Sequence, residues 1–337
     1  MKRAAAVPPE RRGLTRDGVR LLAATPDGLA HAVFTGLPRY LAPGDLLVVN
    51  TSGTLAAALD GRRAGGRPVT IHLSTVLDDG TWLVEPRERA VARTRVTDMA
   101  EDDVVALPGG EKLTLLRRYP DPGSDRLWEA TATVPGDVPG YLARHGRPIH
   151  YSYVPRQWPL ADYQTVFARD PGSAEMPSAA RPFSTGLVTD LITAGVLLAP
   201  VTLHAGVASL ETGEPPLPER FTVPPPTAEL VNLTRAAGRR VVAVGTTAVR
   251  AVETAAAPDG AVTAAQGWTS LVLGPDRPAR AVTGLITGWH DPEASHVDLL
   301  RAVAGDTLVA AAYAEADRAG YLGHEFGDSC LLLPPAR

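Results

Sequence analysis

Three apolar runs of the sequence end in small or polar residues that could do chemistry together. The first run leads into His204, the second into Gly245–Thr247 and the third into His290. Ligands of α/β folds bind where parallel strands end, because helix N-termini and exposed backbone meet there. The three ends predict one shared pocket, although glycines and polar residues also mark ordinary turns.

The segment Gly245–Arg250 has the features of an anion site. Gly245 lets the chain leave the strand, and Thr246 or Thr247 can cap the next helix. The free N–H groups and the helix dipole then favour a carboxylate or another anion. Arg250, one turn into the helix, could pair with that anion bidentately. In the alternative, both threonines are only caps and Arg250 pairs with a surface acid.

His204 and His290 are candidate general acids or bases, because histidine titrates near neutral pH. Each is equally compatible with a structural role at the end of a buried strand. His290 and His296 are six residues apart across Pro292, a poor spacing for metal ligands. The sequence has no HExxH motif, no Cys/His cluster and a single cysteine, Cys330, so we expect no metal site.

The composition argues against several classes of protein. Of 337 residues, 45% are hydrophobic and 21% are charged, as in ordinary globular domains. The formal net charge of −4 argues against a strongly basic nucleic-acid binder. Without a GxGxxG motif after a strand, a P-loop or a GxSxG elbow, dinucleotide, NTP and α/β-hydrolase chemistry is disfavoured. The most apolar run is too short to span a bilayer, so we expect a cytoplasmic protein.

The chain after about residue 155 alternates between helical and strand patterns, which predicts an α/β layer or barrel with parallel strands. The predicted helices are Ser184–Ala194, Thr227–Ala237, Thr247–Ala256, Pro292–Ala304 and Asp306–Ala319. The predicted strands are Leu46–Asn50, Leu197–Leu203, Arg240–Val244, Leu271–Leu273, Ala281–Ile286 and Cys330–Leu333. Short strands between turns predict a small β-barrel or sandwich in the middle of the chain. We therefore expect an α/β catalytic domain of residues 1–55 and 151–337, with an inserted β-barrel domain of residues 56–150.

Seven segments, in order along nearly the whole chain, form a specific pattern. They are Pro43–Asn50, Asp162–Phe167, Pro171–Ser173, Val201–His204, Val241–Arg250, Leu285–Thr287 with His290 and Pro292, and Phe326–Ser329. This pattern resembles the S-adenosylmethionine:tRNA ribosyltransferase-isomerase family of queuosine biosynthesis, which transfers and rearranges the ribosyl part of S-adenosylmethionine. The resemblance implies an α/β catalytic domain with an inserted β-barrel, S-adenosylmethionine as a substrate, and tRNA as a partner.

Polar residues of the family pattern are missing at several positions. Thr51–Gly53 stand where the family usually has an acidic residue or Asn, then Thr, then a basic residue. Pro182 replaces a histidine, and of a His-x-Met-His-x-Glu segment only the final acid, Glu219, is kept. The family's Thr-Asn-Phe-His-Leu-Pro becomes Thr287–Pro292, which retains His290. These losses favour a reaction that differs from the one on a tRNA-borne base.

The chemistry of S-adenosylmethionine assigns roles to the retained residues. Its carboxylate suits the Gly245–Thr247 turn and Arg250, and its adenine could stack on Phe183 or Trp289. The predicted catalytic residues are His204, His290 and Glu219, and the predicted S-adenosylmethionine-binding residues are Asn50, Phe183, Gly245, Thr246, Thr247, Arg250 and Trp289.

Three functions are compatible with this pattern. The favoured one is a diverged enzyme that acts on S-adenosylmethionine itself or on a small molecule. One example is removal of the α-proton, after which that carbon attacks the γ-carbon to give 1-aminocyclopropane-1-carboxylate and methylthioadenosine. The second is the authentic transferase-isomerase, which makes epoxyqueuosine in tRNA. The third is an inactive module that binds S-adenosylmethionine.

Overall fold

The computed structural model describes residues 4–88, 95–150, 154, 156–207, 216–292, 296–323 and 325–335. Its strands, in chain order, are β1 (Arg20–Thr25), β2 (Gly28–Val33), β3 (Leu46–Asn50), β4 (Ser52–Thr54), β5 (Ala58–Arg62), β6 (Pro68–Val76), β7 (Trp82–Arg87), β8 (Val104–Ala106), β9 (Lys112–Tyr119), β10 (Leu127–Thr133), β11 (Asp170–Ser173), β12 (Leu197–Leu203), β13 (Glu219–Val223), β14 (Val241–Val244), β15 (Ala265–Thr269), β16 (Gly284–Gly288) and β17 (Ser329–Leu332). Its α-helices are α1 (Val138–His145), α2 (Thr185–Thr193), α3 (Pro225–Ala236), α4 (Thr246–Thr254), α5 (His296–Ala304) and α6 (Asp306–Arg318).

A large mixed sheet forms the centre of the molecule. Its strand order is β15-β13-β12-β3-β14-β16-β17-β1-β2. The four middle strands β12, β3, β14 and β16 run parallel, and antiparallel strands extend the sheet on both sides. The α/β class expected from the sequence is confirmed, and this part of the chain is layered around an open sheet.

Both faces of this sheet are covered, which explains the unbroken apolar run of β3. Leu46 and Val48 belong to a core formed with α3, α4, α5 and α6, whereas Leu47 and Val49 face a second core with α2. Successive side chains of a strand point to opposite faces, so a doubly covered strand needs apolar residues at every position. This packing fixes the position of β3 and therefore of Asn50, its last residue.

The six strands β5 to β10, which lie between β4 and β11 in the sequence, pair antiparallel and close into a barrel. The barrel order is β10-β7-β6-β5-β8-β9. Trp82 and Trp128 are both almost fully buried in its core. The small β-barrel expected from the sequence is confirmed, and the division of the chain into domains at residues 55 and 150 stays a prediction.

Several predicted elements differ from those in the structure. The strand Leu197–Leu203 has the predicted bounds, but Leu271–Leu273 is not a strand. The backbone carbonyl of Leu271 accepts a hydrogen bond from a buried arginine side chain instead of from a neighbouring strand. The predicted helix Pro292–Ala304 begins at His296, and residues 293–295 lie outside the described part of the chain. The sequence patterns did not predict β1, β2, β13, β15 or α1.

Candidate active site

The parallel strands of the central sheet end side by side at one edge. Their last residues, in sheet order, are Leu203, Asn50, Val244 and Gly288. His204, Gly245–Thr247 and His290 follow these strand ends directly or within three residues. The three strand ends thus lie at one edge, and the expectation that they form one shared pocket stays a prediction. We call this region the carboxyl edge.

Asn50 ties two strands and a helix together at the carboxyl edge. Its Nδ2 donates to the carbonyl of Leu203 (2.9 Å) and to Oγ1 of Thr247 (3.1 Å). Its Oδ1 accepts from the N–H groups of Ser52 and Leu203, each at 3.0 Å. These contacts use both amide donors and both acceptor positions. Asn50, predicted to bind S-adenosylmethionine, is thus a fully occupied positioning residue in this structure.

Gly245 makes the turn from β14 into α4. Its φ of +91° lies in a region that favours glycine, and its N–H donates to the carbonyl of Ile286 at 2.8 Å. The first intrahelical bond of α4 runs from Val249 to Gly245. Within the described chain, the N–H groups of Thr246 and Thr247 have no acceptor. The helix therefore presents free donors at the carboxyl edge, as an anion site requires.

Arg250 and Glu219 form a buried ion pair, with Nη1 of Arg250 bonded to Oε2 of Glu219. Arg250 is 6% exposed, and its other N–H groups donate to the carbonyls of Leu271 (3.1 Å), Thr269 (3.1 Å) and Leu217 (3.4 Å). The guanidinium is thus occupied by partners in β13, in β15 and in the segments next to them.

Glu219, predicted as a catalytic acid, is held on both oxygens, because Oε1 accepts from the N–H of Gly206 at 3.0 Å. Burial raises the pKa of its carboxyl, and the Arg250 guanidinium acts in the opposite direction. The expectation that Arg250 has a free guanidinium for a ligand carboxylate does not match this arrangement.

His204 lies at the end of a short chain of hydroxyl groups. Its Nδ1 is 2.7 Å from Oγ of Ser52, and that oxygen is 2.6 Å from Oγ of Ser173. Both serines are fully buried. The ring packs against Gly172, where a Cβ atom would overlap it. Burial lowers the pKa of His204, and the nearby Asp170 carboxylate partly opposes this shift.

His290 also lies at the carboxyl edge, but its surroundings differ from those of His204. Nε2 is 3.2 Å from Oγ1 of Thr287. The ring stacks on His296 with 4.7 Å between centroids and 9° between planes. No described residue joins His290 directly to His204, so the two predicted acid/base residues do not form a pair.

The two aromatic residues predicted to stack on adenine are core residues in this structure. Phe183 has no exposed surface and packs edge-on against Phe34 and Phe167. Trp289 is 1% exposed and packs edge-on against Tyr313 and, at 5.8 Å, Tyr321. Stacking on a ligand needs an open ring face, and neither residue offers one.

A narrow cavity of about 10 Å³ adjoins Gly288 at the carboxyl edge. Its wall includes Arg181, Glu325 and Pro182, the residue that replaces a family histidine. Oε2 of Glu325 is shut off from solvent and has no hydrogen-bond partner among the described residues. Burial, followed by the Glu175 carboxylate, raises the pKa of Glu325 to about 8, although Arg181 opposes the shift. The cavity wall thus contains a carboxyl group that is largely protonated at neutral pH.

Sequence reasoning missed four polar residues of this edge: Ser52, Ser173, Arg181 and Glu325. A serine by itself does not indicate a functional role in a sequence. Ser52 contacts Ser173 only because β4 pairs with β11, which lies more than a hundred residues later. Glu325 directly precedes the recognised segment Phe326–Ser329, which was the one available signal.

The described residues include neither a cluster of metal ligands nor a membrane-spanning helix. No group of three or more His, Cys, Asp or Glu side chains there is arranged to hold a metal ion. No helix in the same part of the chain is long and apolar enough to cross a membrane.

Comparisons with known proteins agree over nearly the whole chain. Residues 1–332 match the family described as "Queuosine biosynthesis protein". The S-adenosylmethionine:tRNA ribosyltransferase-isomerase of Acidiphilium cryptum is 38% identical over 97% of this chain and 96% of its own length. The protein of the same name from Moorella thermoacetica is 34% identical over 94% of each chain.

A crystal structure supports the same relationship. The S-adenosylmethionine tRNA ribosyltransferase of Thermotoga maritima is 27% identical and aligns with a TM-score of 0.52 over 98% of this chain and 96% of its own. The resemblance inferred from the sequence segments is thereby confirmed. This chain belongs to the queuosine biosynthesis family of S-adenosylmethionine:tRNA ribosyltransferase-isomerases.

Proposed function

We propose that this protein is an S-adenosylmethionine:tRNA ribosyltransferase-isomerase that makes epoxyqueuosine in tRNA. The observation that supports this most strongly is similarity along the full chain to relatives that carry this name. The sequence-based preference for a small-molecule cyclisation rested on missing polar residues. The comparisons favour the transferase-isomerase over that reading.

In the proposed reaction, a proton is lost from the ribose carbon beside the sulfonium. The ribosyl part then moves to the modified base, and adenine and methionine are released. A sulfonium acidifies its neighbouring C–H bonds, so the protein must supply a base, orient the ribosyl carbon and stabilise the leaving adenine. Holding the two substrates in line supplies much of the rate by proximity.

The carboxyl edge offers groups for some of these tasks. In this proposal the free N–H groups of Thr246 and Thr247 bind the carboxylate of the methionyl part, because a helix N-terminus favours an anion. Asn50 holds this helix end against β3 through its bond to Thr247. His290, two residues after the end of β16, is the candidate base in this proposal, and Glu325 is a candidate proton donor on the cavity wall.

The decisive experiment uses pure protein, S-adenosylmethionine, and tRNA that carries the queuosine precursor base. Products are identified by mass spectrometry with and without the tRNA. Adenine and methionine that form only with tRNA are the expected result. Methylthioadenosine formed without RNA would overturn the proposal in favour of cyclisation, and binding without any turnover would indicate an inactive module.

A pair of glycine variants controls for contaminating activity. Gly245→Ala strains the turn at φ +91° and brings a Cβ within 3.3 Å of Ala179, so it should reduce turnover at least tenfold. Gly238→Ala introduces a milder positive-φ strain at +67° with open space around it, just after the C-terminal end of α3 and next to the start of β14, the opposite end from the carboxyl edge. It should leave turnover close to that of the unmodified protein.

A further inference from the structure

Ser173, Ser52 and His204 form a chain of hydrogen bonds, and the neighbouring groups fix the direction in which each proton is donated. The N–H of Ala205 donates to Oγ of Ser173 at 2.9 Å, so this oxygen acts as an acceptor there. The one proton of the Ser173 hydroxyl then needs an acceptor of its own. Among the described residues the only atom that can take it is Oγ of Ser52, 2.6 Å away.

The direction of donation then continues from Ser52 to His204. When Ser173 donates to Ser52, the proton of the Ser52 hydroxyl is free to donate to Nδ1 of His204 at 2.7 Å. Nδ1 must then be an unprotonated acceptor, and a neutral imidazole has its proton on Nε2. In the reverse direction the Ser173 proton would have no acceptor in a fully buried site, which is unfavourable.

The other nitrogen of the ring is available to a ligand. Within the described chain, Nε2 of His204 has no hydrogen-bond partner, and it is not among the polar atoms closed off from solvent. Gly172 fixes the position of the ring, because any larger residue there would overlap it. The buried position also lowers the pKa of His204, so the neutral ring is favoured.

We propose that Ser52, with Ser173 behind it, acts as a positioning residue that holds His204 as the Nε2–H tautomer, so that His204 donates a hydrogen bond to the substrate and does not remove a proton from it. The acceptor is a group that carries or develops negative charge. On S-adenosylmethionine this is either the methionyl carboxylate or a ring nitrogen of the departing adenine. This assignment of the ligand rests on the proposed function, whereas the tautomer does not.

The tautomer can be measured on the unmodified protein without any substrate. Histidine labelled with 15N gives distinct chemical shifts for protonated and unprotonated ring nitrogens, and the signals that vanish in His204→Gln belong to His204. At pH 8 we expect an unprotonated Nδ1 and a protonated Nε2. A proton on Nδ1, or a doubly protonated ring, would overturn the proposal whatever reaction the enzyme performs.

Two matched serine variants test the cause of the tautomer. Ser52→Ala removes the donor to Nδ1, so the two neutral tautomers should become mixed. Ser173→Ala leaves the Ser52 hydroxyl free to donate to Nδ1, so the Nε2–H tautomer should persist. An unchanged spectrum in Ser52→Ala would show that the hydroxyl chain does not set the tautomer.

Kinetics separate donation from proton removal. The amide of His204→Gln can donate from about the position of Nε2, so this variant should retain turnover within about tenfold. His204→Ala should lose about 100-fold or more, the usual effect of removing a preorganised donor. Equal losses in both variants, with the fold intact by circular dichroism, would contradict donation. An increase in KM in His204→Ala would identify the carboxylate as the acceptor, whereas a decrease in kcat would identify the departing adenine.

Discussion

Replacing Arg250 with alanine tests whether this residue serves the fold or the ligand. In the structure its guanidinium neutralises the buried Glu219 carboxylate and satisfies three backbone carbonyls. Removing one partner of a buried ion pair typically costs about 3–5 kcal/mol of stability. We therefore expect Arg250→Ala to lower the free energy of unfolding by about that amount at pH 7.

The free energy of protonating Glu219 is an upper limit on the electrostatic part of the stability lost in Arg250→Ala. Protonating a carboxyl group with an ordinary pKa of 4.5 at pH 7 costs about 3.4 kcal/mol, since each pH unit is worth about 1.36 kcal/mol. At pH 5 the same protonation costs only about 0.7 kcal/mol. The folded-state pKa of Glu219 is raised even beside Arg250 and rises further without it, so in the variant more stability is lost as the pH rises above 4.5. Because the unmodified protein already has part of this pH dependence, the destabilisation by Arg250→Ala should shrink between pH 7 and pH 5 by at most about 2.7 kcal/mol.

Urea denaturation at the two pH values measures this effect, and binding of S-adenosylmethionine is measured by calorimetry on the same samples. The matched control is the double variant Arg250→Met with Glu219→Gln, which removes both charges and should recover most of the lost stability. Unchanged stability at both pH values together with weakened binding would refute the reasoning. In that case Arg250 would belong to the ligand, as the sequence pattern alone predicts.

Three further substitutions have expected outcomes. Gly172→Ala should displace the His204 ring and reduce turnover at least tenfold, whereas Gly186→Ala, in α2 with open space around it, should not reduce turnover. Glu253→Ala leaves the buried N–H groups of Ala281 and Val282 without their acceptor and should cost about 4 kcal/mol in urea denaturation; Glu253→Gln, which keeps one carbonyl oxygen, should cost less. Glu325→Gln should stabilise the protein by roughly 4 kcal/mol at pH 8 and hardly at pH 4.5, because a carboxyl with its pKa raised to about 8 loses stability as the pH rises between these values. Thermal unfolding that shows the same Glu325→Gln effect at both pH values would contradict the last expectation.

The local part of the fold was predictable because it follows from side-chain periodicity and turn residues. The unbroken apolar run of β3 predicts a doubly covered strand, and Gly245 followed by two threonines predicts the start of a helix. The antiparallel additions β13 and β15 were not predicted, because each has few buried side chains and little apolar pattern. Strands of this kind are specified by their neighbours.

The candidate site was only partly predictable, because its partners are distant in the sequence. Nothing near Arg250 indicates that Glu219, 31 residues away, takes its charge. An aromatic residue at a strand end, such as Trp289, can point into the core or towards a ligand with the same local sequence. Only the packing of α6 against this sheet edge, which brings Tyr313 onto the indole, decides between the two.

The position of β17 imposes an order on the assembly of this protein in the cell. Within the described chain, the hairpin of β1 and β2 joins the sheet only through β17, which pairs with β1 on one side and β16 on the other. A ribosome makes the hairpin first and Ser329–Leu332 some three hundred residues later. The apolar face of β1 therefore stays uncovered until Ser329–Leu332 has been made. A chain that stalls or is cut short before this segment would expose the hairpin to chaperones and proteases.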